Sequence, residues 1–357
     1  MKTNIKTNLL VTVAMMALTV TNATAKSWRI NNDANMKPDF VNINAAMASD
    51  NVQPGDTLYL DAGCTIATDQ EITKRVTVIG TGYFRPDAPH ALASLSKILK
   101  ISADYTKIEG ILMNQEVRVN AQYVVIERCK VYHVNLCSDS YAWYNAREAV
   151  IRQCYIVQGI NGWDKSSILP NYSNFVTIEN CILAEGYSYI KDLVSPTIRN
   201  NIIYQTWNIN GNTGSFNLEN IENGIIQNNI IINRVDAAMT FKNITNSIVT
   251  NNVIVGPAEN FPAYAADNLF VDSANGIITK EGTWEVDTYY QLAEDSPAKG
   301  YGILGGVAVD CGAFGGPNPY VLNGLPAGFP YYTQASVDAR SKNGKVNVSL
   351  KIKMQDE

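Results

Sequence analysis

The sequence predicts an all-β protein folded as a parallel β-helix, and two observations lead to this fold. A short phrase recurs six times between residues 123 and 255, each time with an isoleucine or valine anchor and a turn residue two positions later. Successive anchors lie 20 to 28 residues apart, which is the length of one solenoid coil. The six anchors are Ile126, Ile151, Ile178, Ile198, Ile226 and Val249.

Positions +3 and +5 after each anchor point into the core, because side chains alternate between the two faces of a strand. Position +3 is cysteine in three copies and asparagine in three, namely Cys129, Cys154, Cys181, Asn201, Asn229 and Asn252. The sequence predicts reduced cysteines that fill space and asparagines that hydrogen-bond to one another in a buried ladder. Position +2 is asparagine in four copies, which suits a left-handed turn residue, whereas Arg128 and Gln153 at that position have no explanation in the sequence.

Positions +1 and +4 are expected to face outward. Position +1 alternates in charge over four copies, which predicts a solvent-facing ladder of ion pairs between Glu127, Arg152, Glu179 and Arg199. Position +4 is apolar in the last four copies, so we expect another segment to pack over these side chains and shield them from water. The C-terminal segment around Tyr320 to Tyr332 is the expected cover, and an oligomer interface is the alternative.

The N-terminal region has the pattern of an export signal. Lysines precede the apolar run from Leu9 to Val20, and Ala23-Thr24-Ala25 follows it, so residues 1–25 are interpreted as a signal peptide cleaved before Lys26. The apolar run is too short to span a membrane, and we expect an exported protein of the periplasm, cell surface or extracellular space.

The rest of the chain divides into three segments. Residues 26–60 are expected to form an N-terminal cap, with a helix whose apolar face carries Phe40, Ile43, Ala46 and Met47, followed by a first strand at Thr57 to Leu60. Residues 61–332 form the β-helix and a final wrapping segment. Residues 333–357 form a tail in which Ser336–Arg340 and Lys345–Lys353 pair as a hairpin across Asn343-Gly344.

Composition narrows the function classes. Without residues 1–25 the chain has 26 basic and 33 acidic residues, a net charge of −7, which argues against nucleic acid as a partner. The two histidines, His90 and His133, do not have the spacing of metal ligands, which argues against structural zinc and His-based triads. Cys64, Cys137 and Cys311 cannot be paired from the sequence.

Several motifs together resemble a known superfamily. They are the repeated Ile-x-Asn-Asn-x-Ile phrase, the segment Pro54–Leu60, Phe270-Val271-Asp272, Ser296-Pro297-Ala298 and Asp310–Gly315. From about Asp39 to Tyr332 the chain resembles the secreted right-handed parallel β-helix proteins of the pectate-lyase-like superfamily, in the form common in Bacteroidetes.

This resemblance implies a carbohydrate-active protein whose partner is a polysaccharide or cell-surface glycan. Lyases of the superfamily use a lysine or arginine base, often with Ca²⁺ held by carboxylates, on a uronate-containing glycan, and its hydrolases use clustered carboxylates. A non-catalytic glycan-binding or scaffold protein is the alternative. No motif here matches either enzyme type residue by residue, so no catalytic role and no certain cofactor is carried over, and Ca²⁺ is an expectation only for a lyase.

The candidate site residues come from position −7, seven residues before each anchor. Lys191, Glu219 and Lys242 occupy it on successive coils, and Asn171 and Tyr144 are expected to continue the row. Paired lysines could neutralise a uronate and hold a base near neutral pKa, and aromatic rings could stack on sugars. A surface ladder of ion pairs is the alternative interpretation of the charges. The nearby candidates are Arg234 and Asp236 for catalysis and Tyr144, Trp163, Tyr187, Tyr189 and Trp207 for sugar binding.

Overall fold

The computed structural model describes residues 25–84, 92–136, 146–162, 175–205, 216–233, 236–283, 285–326, 328, 330–337, 340 and 343–354. These residues form a parallel β-helix whose coils stack along three faces, here called A, B and C. Each coil runs through face A, turns a corner into face B, and on most coils continues into face C before it returns to A. The fold predicted from the repeat is confirmed.

Face A carries the anchors and contains ten strands stacked in parallel. The strands are Ser27–Ile30, Thr57–Leu60, Thr77–Ile79, Lys107–Glu109, Val125–Glu127, Val150–Arg152, Thr177–Glu179, Thr197–Arg199, Ile225–Gln227 and Ile248–Thr250. The six anchors are direct neighbours in this sheet, as the repeat predicts.

Faces B and C share three long strands that bend from one face into the other: Leu112–Val119, Lys130–Leu136 and Tyr155–Asn161. A register shift marks the bend, for example between Val131 and His133. The other strands of face B are Thr65–Ile66, Ser94–Leu95, Ile182–Leu183, Ile202–Gln205, Ile230–Asn233, Val253–Val255 and Leu269–Val271. The other strands of face C are Gln70–Ile72, Leu99–Ile101, Tyr189–Val194, Leu218–Glu222 and Phe241–Thr245.

The interior is filled by the inward positions of all three faces. Position +5 is fully buried in all six copies, and so is position +3. The cysteines at +3 are free thiols, as are Cys64 and Cys311, while Cys137 lies outside the described residues. Each asparagine at +3 donates from Nδ2 to Oδ1 of the next, from Asn201 to Asn229 at 3.0 Å and from Asn229 to Asn252 at 2.9 Å. Asn268, which the repeat count did not include, adds a fourth rung at 2.8 Å.

Position +2 has positive φ in all six copies, between 51° and 58°, so the left-handed corner between faces A and B is confirmed. The side chains at this corner bind a C-terminal strap, defined as residues 301–326. Asn228 accepts from the Ile303 amide and donates to its carbonyl, both at 3.0 Å, and Asn180 donates to Gly315 O at 2.7 Å. Farther along, Gln153 donates to Pro319 O at 2.7 Å.

The same strap explains why arginine and glutamine occupy position +2 in two copies. Arg128 donates to Leu325 O at 3.3 Å and from Nε to Gln153 Oε1 at 2.9 Å, so both long side chains reach strap carbonyls. Close approach of the strap also requires glycine at Gly312. Its φ is +86°, and a Cβ there would lie 2.7 Å from the Ile230 side chain.

A second apolar cluster lies outside face B, under the strap and the segment before it. Ile182, Ile202, Ile230 and Val253 at position +4 are fully buried in it. The predicted cover by the C-terminal segment is therefore confirmed, but its bounds differ. The covering side chains extend from Ala274 to Leu322, and Tyr331 and Tyr332 lie instead in a hairpin strand.

The charges at +1 pair as predicted, with Glu127 to Arg152 at 3.1 Å and Glu179 to Arg199 at 2.6 Å. The expectation that they face water is wrong for the two glutamates, which are 5 % exposed. The basic side chains lie against the carboxylates, and Lys107 also contacts Glu127 at 2.9 Å. Burial raises the pKa of Glu127, but the hydrogen bonds from Lys107 and Arg152 outweigh it and lower the pKa overall.

Both ends of the described chain carry additional elements. The cap helix is Ile43–Ala48, shorter than the sequence suggested, and Asn42 caps it by accepting from Ala45 N at 2.8 Å. The C-terminal hairpin is present, but its first strand is Pro330–Val337 rather than Ser336–Arg340, paired antiparallel with Val348–Met354. Gly302–Leu304 and Val307–Val309 form a short antiparallel pair, and 3-10 turns lie at Ala34–Met36, Ala237–Met239, Ala258–Asn260, Asp287–Tyr290 and Leu322–Gly324.

Candidate active site on face C

Two rows of outward-facing side chains cross face C at right angles to its strands. One row is the predicted position −7, in which Lys191, Glu219 and Lys242 are direct neighbours. The predicted continuation of this row through Asn171 and Tyr144 is wrong, because the strand neighbour of Lys191 on that side is Asn161. The row continues through Asn135, Arg118, Lys100 and Glu71.

The second row runs beside the first and contains Glu116, His133, Gly159 and Tyr189. The two rows belong to the same strands, two residues apart, so their side chains form one continuous surface. Since neighbouring strands are about 4.8 Å apart, groups on adjacent coils can contact the same bound molecule.

The predicted catalytic candidates separate into two groups. Glu219 binds Lys242 through an ion pair of 2.6 Å, so for these two residues the interpretation as a surface ladder holds. Lys191 instead lies with Nζ 5.1 Å from the centroid of the Tyr189 ring. Asp236 is exposed, and its carboxylate accepts from Ala238 N at 2.9 Å at the start of a 3-10 turn, which is a structural role.

Of the five aromatic candidates for sugar binding, the residues that the structure describes include two, Tyr187 and Tyr189. Tyr189 lies in the second row, and Tyr187 is half-buried in the segment that leads into the same strand. Tyr144, Trp163, Trp207 and Arg234 lie outside the described residues, as does Asn171.

Face C brings together polar groups that the sequence analysis did not select. The hydroxyl of Tyr189 and Nε2 of His133 lie 3.1 Å apart in a hydrogen bond. Arg118 binds the Glu116 carboxylate through two contacts, Nε to Oε1 at 2.9 Å and Nη2 to Oε2 at 3.2 Å. With Lys191, these residues place an imidazole, a phenol, a carboxylate and two cations on one half-buried surface.

Two side-chain amides join the two halves of this cluster. Asn135 donates to Glu116, and the amides of Asn135 and Asn161 lie 3.2 Å apart. An amide pair at adjacent positions in a row can both donate to and accept from hydroxyl groups. The surface therefore offers hydrogen bonds suited to a sugar between its two cations.

Burial and neighbouring charges set the protonation of the cluster. Burial lowers the pKa of His133, Lys191 lowers it further, and Glu116 opposes both, so the imidazole is neutral at neutral pH. Burial also raises the pKa of Tyr189, and with the charges of Tyr132, Asp192 and Glu116 it reaches about 12, so the phenol keeps its proton. The pKa of Glu116 is lowered, because the hydrogen bonds from Arg118 and Asn135 outweigh burial.

A groove of about 390 Å³ continues from this cluster toward the N-terminal cap. Arg118 belongs to both the cluster and the groove. The groove is lined by Asn44, Asp69, Gln70, Glu71, Ile98, Lys100 and Arg118. The mixture of cations, carboxylates and amides suits a polar, extended ligand rather than an apolar one.

Lyases of the superfamily often hold Ca²⁺, so the oxygen ligands present on face C decide whether this ion fits there. Calcium is bound by several oxygen ligands, which include carboxylates, carbonyl groups and water. Glu116 is bound by Arg118 and Asn135, and in the part of the chain that the structure describes no group of three or more His, Cys, Asp or Glu residues is placed to hold a metal ion. The described residues of this cluster do not fit a calcium site.

Comparisons with protein-family models, with curated proteins and with solved structures found no match to this chain. The described residues include no helix with the length and apolar character needed to cross a membrane.

The chemistry available on face C follows from the geometry. A neutral imidazole can take a proton, a phenol 3.1 Å away can donate one, and the ammonium of Lys191 can neutralise an anion beside them. The Glu116 carboxylate, with its lowered pKa, is unsuited to act as a general acid at neutral pH. A pair of catalytic carboxylates, which glycoside hydrolysis requires, is not found in this cluster of described residues.

Proposed function

We propose that this protein is an exported polysaccharide lyase of the pectate-lyase-like type that binds a uronate-containing glycan along face C and cleaves it by β-elimination. The Tyr189–His133 hydrogen bond beside Lys191 is the observation that carries this proposal. The repeated coils and the motifs that resemble the superfamily support it.

In the proposed reaction His133 is the base and Tyr189 is the acid. Nε2 of His133 takes the proton from the carbon next to the uronate carboxylate, while Lys191 neutralises that carboxylate and stabilises the carbanion. The electron pair forms a carbon–carbon double bond, the glycosidic C–O bond breaks, and the leaving oxygen takes the Tyr189 proton. The imidazolium and the phenolate, within hydrogen-bond distance, then exchange one proton and both return to their starting states.

Two features favour a lyase over a hydrolase. A neutral imidazole and a protonated phenol are the forms that this elimination needs, and the pKa shifts of His133 and Tyr189 maintain both at neutral pH. The elimination also needs no second carboxylic acid, whereas hydrolysis does. The substrate-binding part of the proposal extends to the groove, where Lys100 and Arg118 would bind uronates on the N-terminal side of the cleaved bond.

The test is an assay of the mature protein on a panel of uronate polysaccharides, in which absorbance of the unsaturated product and new reducing ends are both recorded, with and without a calcium chelator. We expect both signals to rise together and to persist with the chelator. His133→Ala and Tyr189→Phe should each lower kcat by about 10²- to 10⁴-fold.

Lys242→Ala is the matched control for Lys191→Ala. Both lysines lie in the same row of face C, but Lys242 is paired with Glu219, so only Lys191→Ala should lower activity. New reducing ends without the unsaturated product would contradict elimination. Binding of a glycan without any product would favour the alternative of a non-catalytic glycan-binding protein.

A further inference from the structure

The N-terminal edge of face A is held by one buried carboxylate. The strand Ser27–Ile30 pairs with Thr57–Leu60, and Lys26 immediately precedes it. The amide nitrogen of Lys26 donates to Oδ1 of Asp56 at 2.8 Å, and its carbonyl accepts from Thr57 N at 2.8 Å. The backbone of Lys26 is therefore fixed on both sides against the second coil.

Asp56 is 2 % exposed and accepts two further hydrogen bonds, from Trp28 Nε1 at 2.7 Å and from Gln53 N at 3.0 Å. Burial raises its pKa, but the hydrogen bonds from Gln53, Lys26 and Trp28, together with the charge of Lys26, outweigh burial and lower the pKa. The carboxylate is thus ionised, and the donors in contact with it are two backbone amides and an indole N–H. A buried anion with neutral donors is stabilised further when one of them becomes a cation.

Cleavage of the predicted signal peptide would supply that cation. Ala23-Thr24-Ala25 has the small-residue pattern of a leader-peptidase site, with the predicted cleavage immediately before Lys26. Hydrolysis of the Ala25–Lys26 bond adds one water molecule, leaving a carboxylate on Ala25 and an α-ammonium on Lys26. The nitrogen that gains the charge is the atom already bound to Asp56.

We propose that removal of residues 1–25 creates a partly buried ion pair between the α-ammonium of Lys26 and the carboxylate of Asp56, and that this ion pair locks the N-terminal cap of the β-helix. Trp28, which also binds Asp56, packs on Phe40 with ring centroids 5.5 Å apart. The ion pair therefore holds the first strand, the segment before the cap helix and the second coil together. Cleavage before Lys26 therefore also completes the cap, because it creates the charge that binds Asp56.

The test compares a mature chain that begins at Lys26, released from a cleavable fusion, with the same chain preceded by Ala23-Thr24-Ala25. At pH 7 the mature chain should melt about 2–5 °C higher, because only it has the α-ammonium. The Asp56→Asn substitution should abolish this difference. Asp50→Asn, which removes an exposed carboxylate from the preceding turn, should leave it unchanged.

The pH dependence separates the ion pair from other effects of the extra residues. An α-amino group has a pKa near 8 in an unfolded chain, and the ion pair raises it in the folded protein. The added stability should therefore be complete below about pH 8 and be lost as the pH rises through the higher folded pKa. Acetylation of the Lys26 α-amine should have the same effect at pH 7, and it tests the proposal without any change at Asp56.

Three results would overturn the proposal. One is equal melting temperatures for the mature and extended chains at pH 7. Another is a difference that persists in Asp56→Asn or at about pH 11, where the α-amine is neutral. The third is N-terminal sequencing of the exported protein that gives a first residue other than Lys26.

Discussion

Replacement of Asn229 by alanine is expected to destabilise the β-helix by about 2–6 kcal/mol. Asn229 is fully buried, and its Oδ1 accepts from both the backbone N and the Nδ2 of Asn201, at 2.9 and 3.0 Å. Without it, two N–H groups of Asn201 lose these acceptors inside the core. Each buried, unsatisfied donor costs about 1–3 kcal/mol.

The cost should be local because the neighbouring rungs keep other partners. Nδ2 of Asn201 still donates to Ile178 O at 2.9 Å, and Oδ1 of Asn252 still accepts from the residue 229 amide at 2.9 Å. Urea unfolding followed by circular dichroism would measure the loss of stability. Hydrogen exchange would show whether the Asn201 amide becomes labile before the rest of the coil.

Cys154→Ala is the matched control. It removes a side chain at the same position of another coil, but the Cys154 thiol makes only weak contacts with the carbonyls of Ile126 and Arg152, at 3.4 and 3.1 Å. It should cost about 1–2 kcal/mol, mainly from the lost volume. Equal costs for the two variants would refute the argument, since the asparagine would then act only as a space-filling group.

Two further predictions concern protonation. Burial raises the pKa of Asp287 despite hydrogen bonds from Asn323 N and Tyr320, so the folded protein binds a proton at this carboxyl group more tightly than the unfolded chain does. Stability should therefore fall as the pH rises above about 4. In melting curves at pH 4 to 8 Asp287→Asn should flatten this dependence, and an unchanged slope would contradict the prediction. The second prediction is that, as the pH rises, kcat/KM increases through the lowered pKa of His133, below about 6.5, if His133 is the base. If Tyr189 is the acid, kcat/KM should then stay level up to the Tyr189 pKa of about 12. A value of kcat/KM that falls between pH 7 and 9 would contradict these roles.

The repeat could be read correctly from the sequence because strand alternation and burial impose the same period. An anchor such as Ile178 and its +3 and +5 partners must all point inward, and a shift by one residue would expose every one of them. The coil register, the asparagine ladder and the left-handed corner were therefore predictable. Arg128 and Gln153 were not, because their partners are strap carbonyls 197 and 166 residues away, with no periodic relation to the repeat.

The candidate site could be predicted only in part, and the reason is the bend in the long strands. In the second row of face C, His133 lies 7 residues after its anchor Ile126, whereas Tyr189 lies 11 residues after its anchor Ile178. The two offsets differ because the register shifts at the bend and the loops differ in length. Position −7 is reliable only where the following coil is regular, so Lys191, Glu219 and Lys242 were aligned correctly and Asn161 was missed. One signal was available: His133 is one of two histidines in the chain and lies in a strand with alternating polarity.

The C-terminal strap determines the order in which the molecule can be completed. Coils of a solenoid contact their neighbours in sequence, so they can form one after another as the chain emerges. Tyr320, by contrast, hydrogen-bonds to Tyr83, 237 residues earlier, and closing so long a loop carries an entropic cost that local coil contacts do not. The stack is therefore expected to form early with an apolar side still open to water. The strap, which is synthesised after the coils, then closes it, so a chain truncated before the strap would retain its coils but be prone to aggregation.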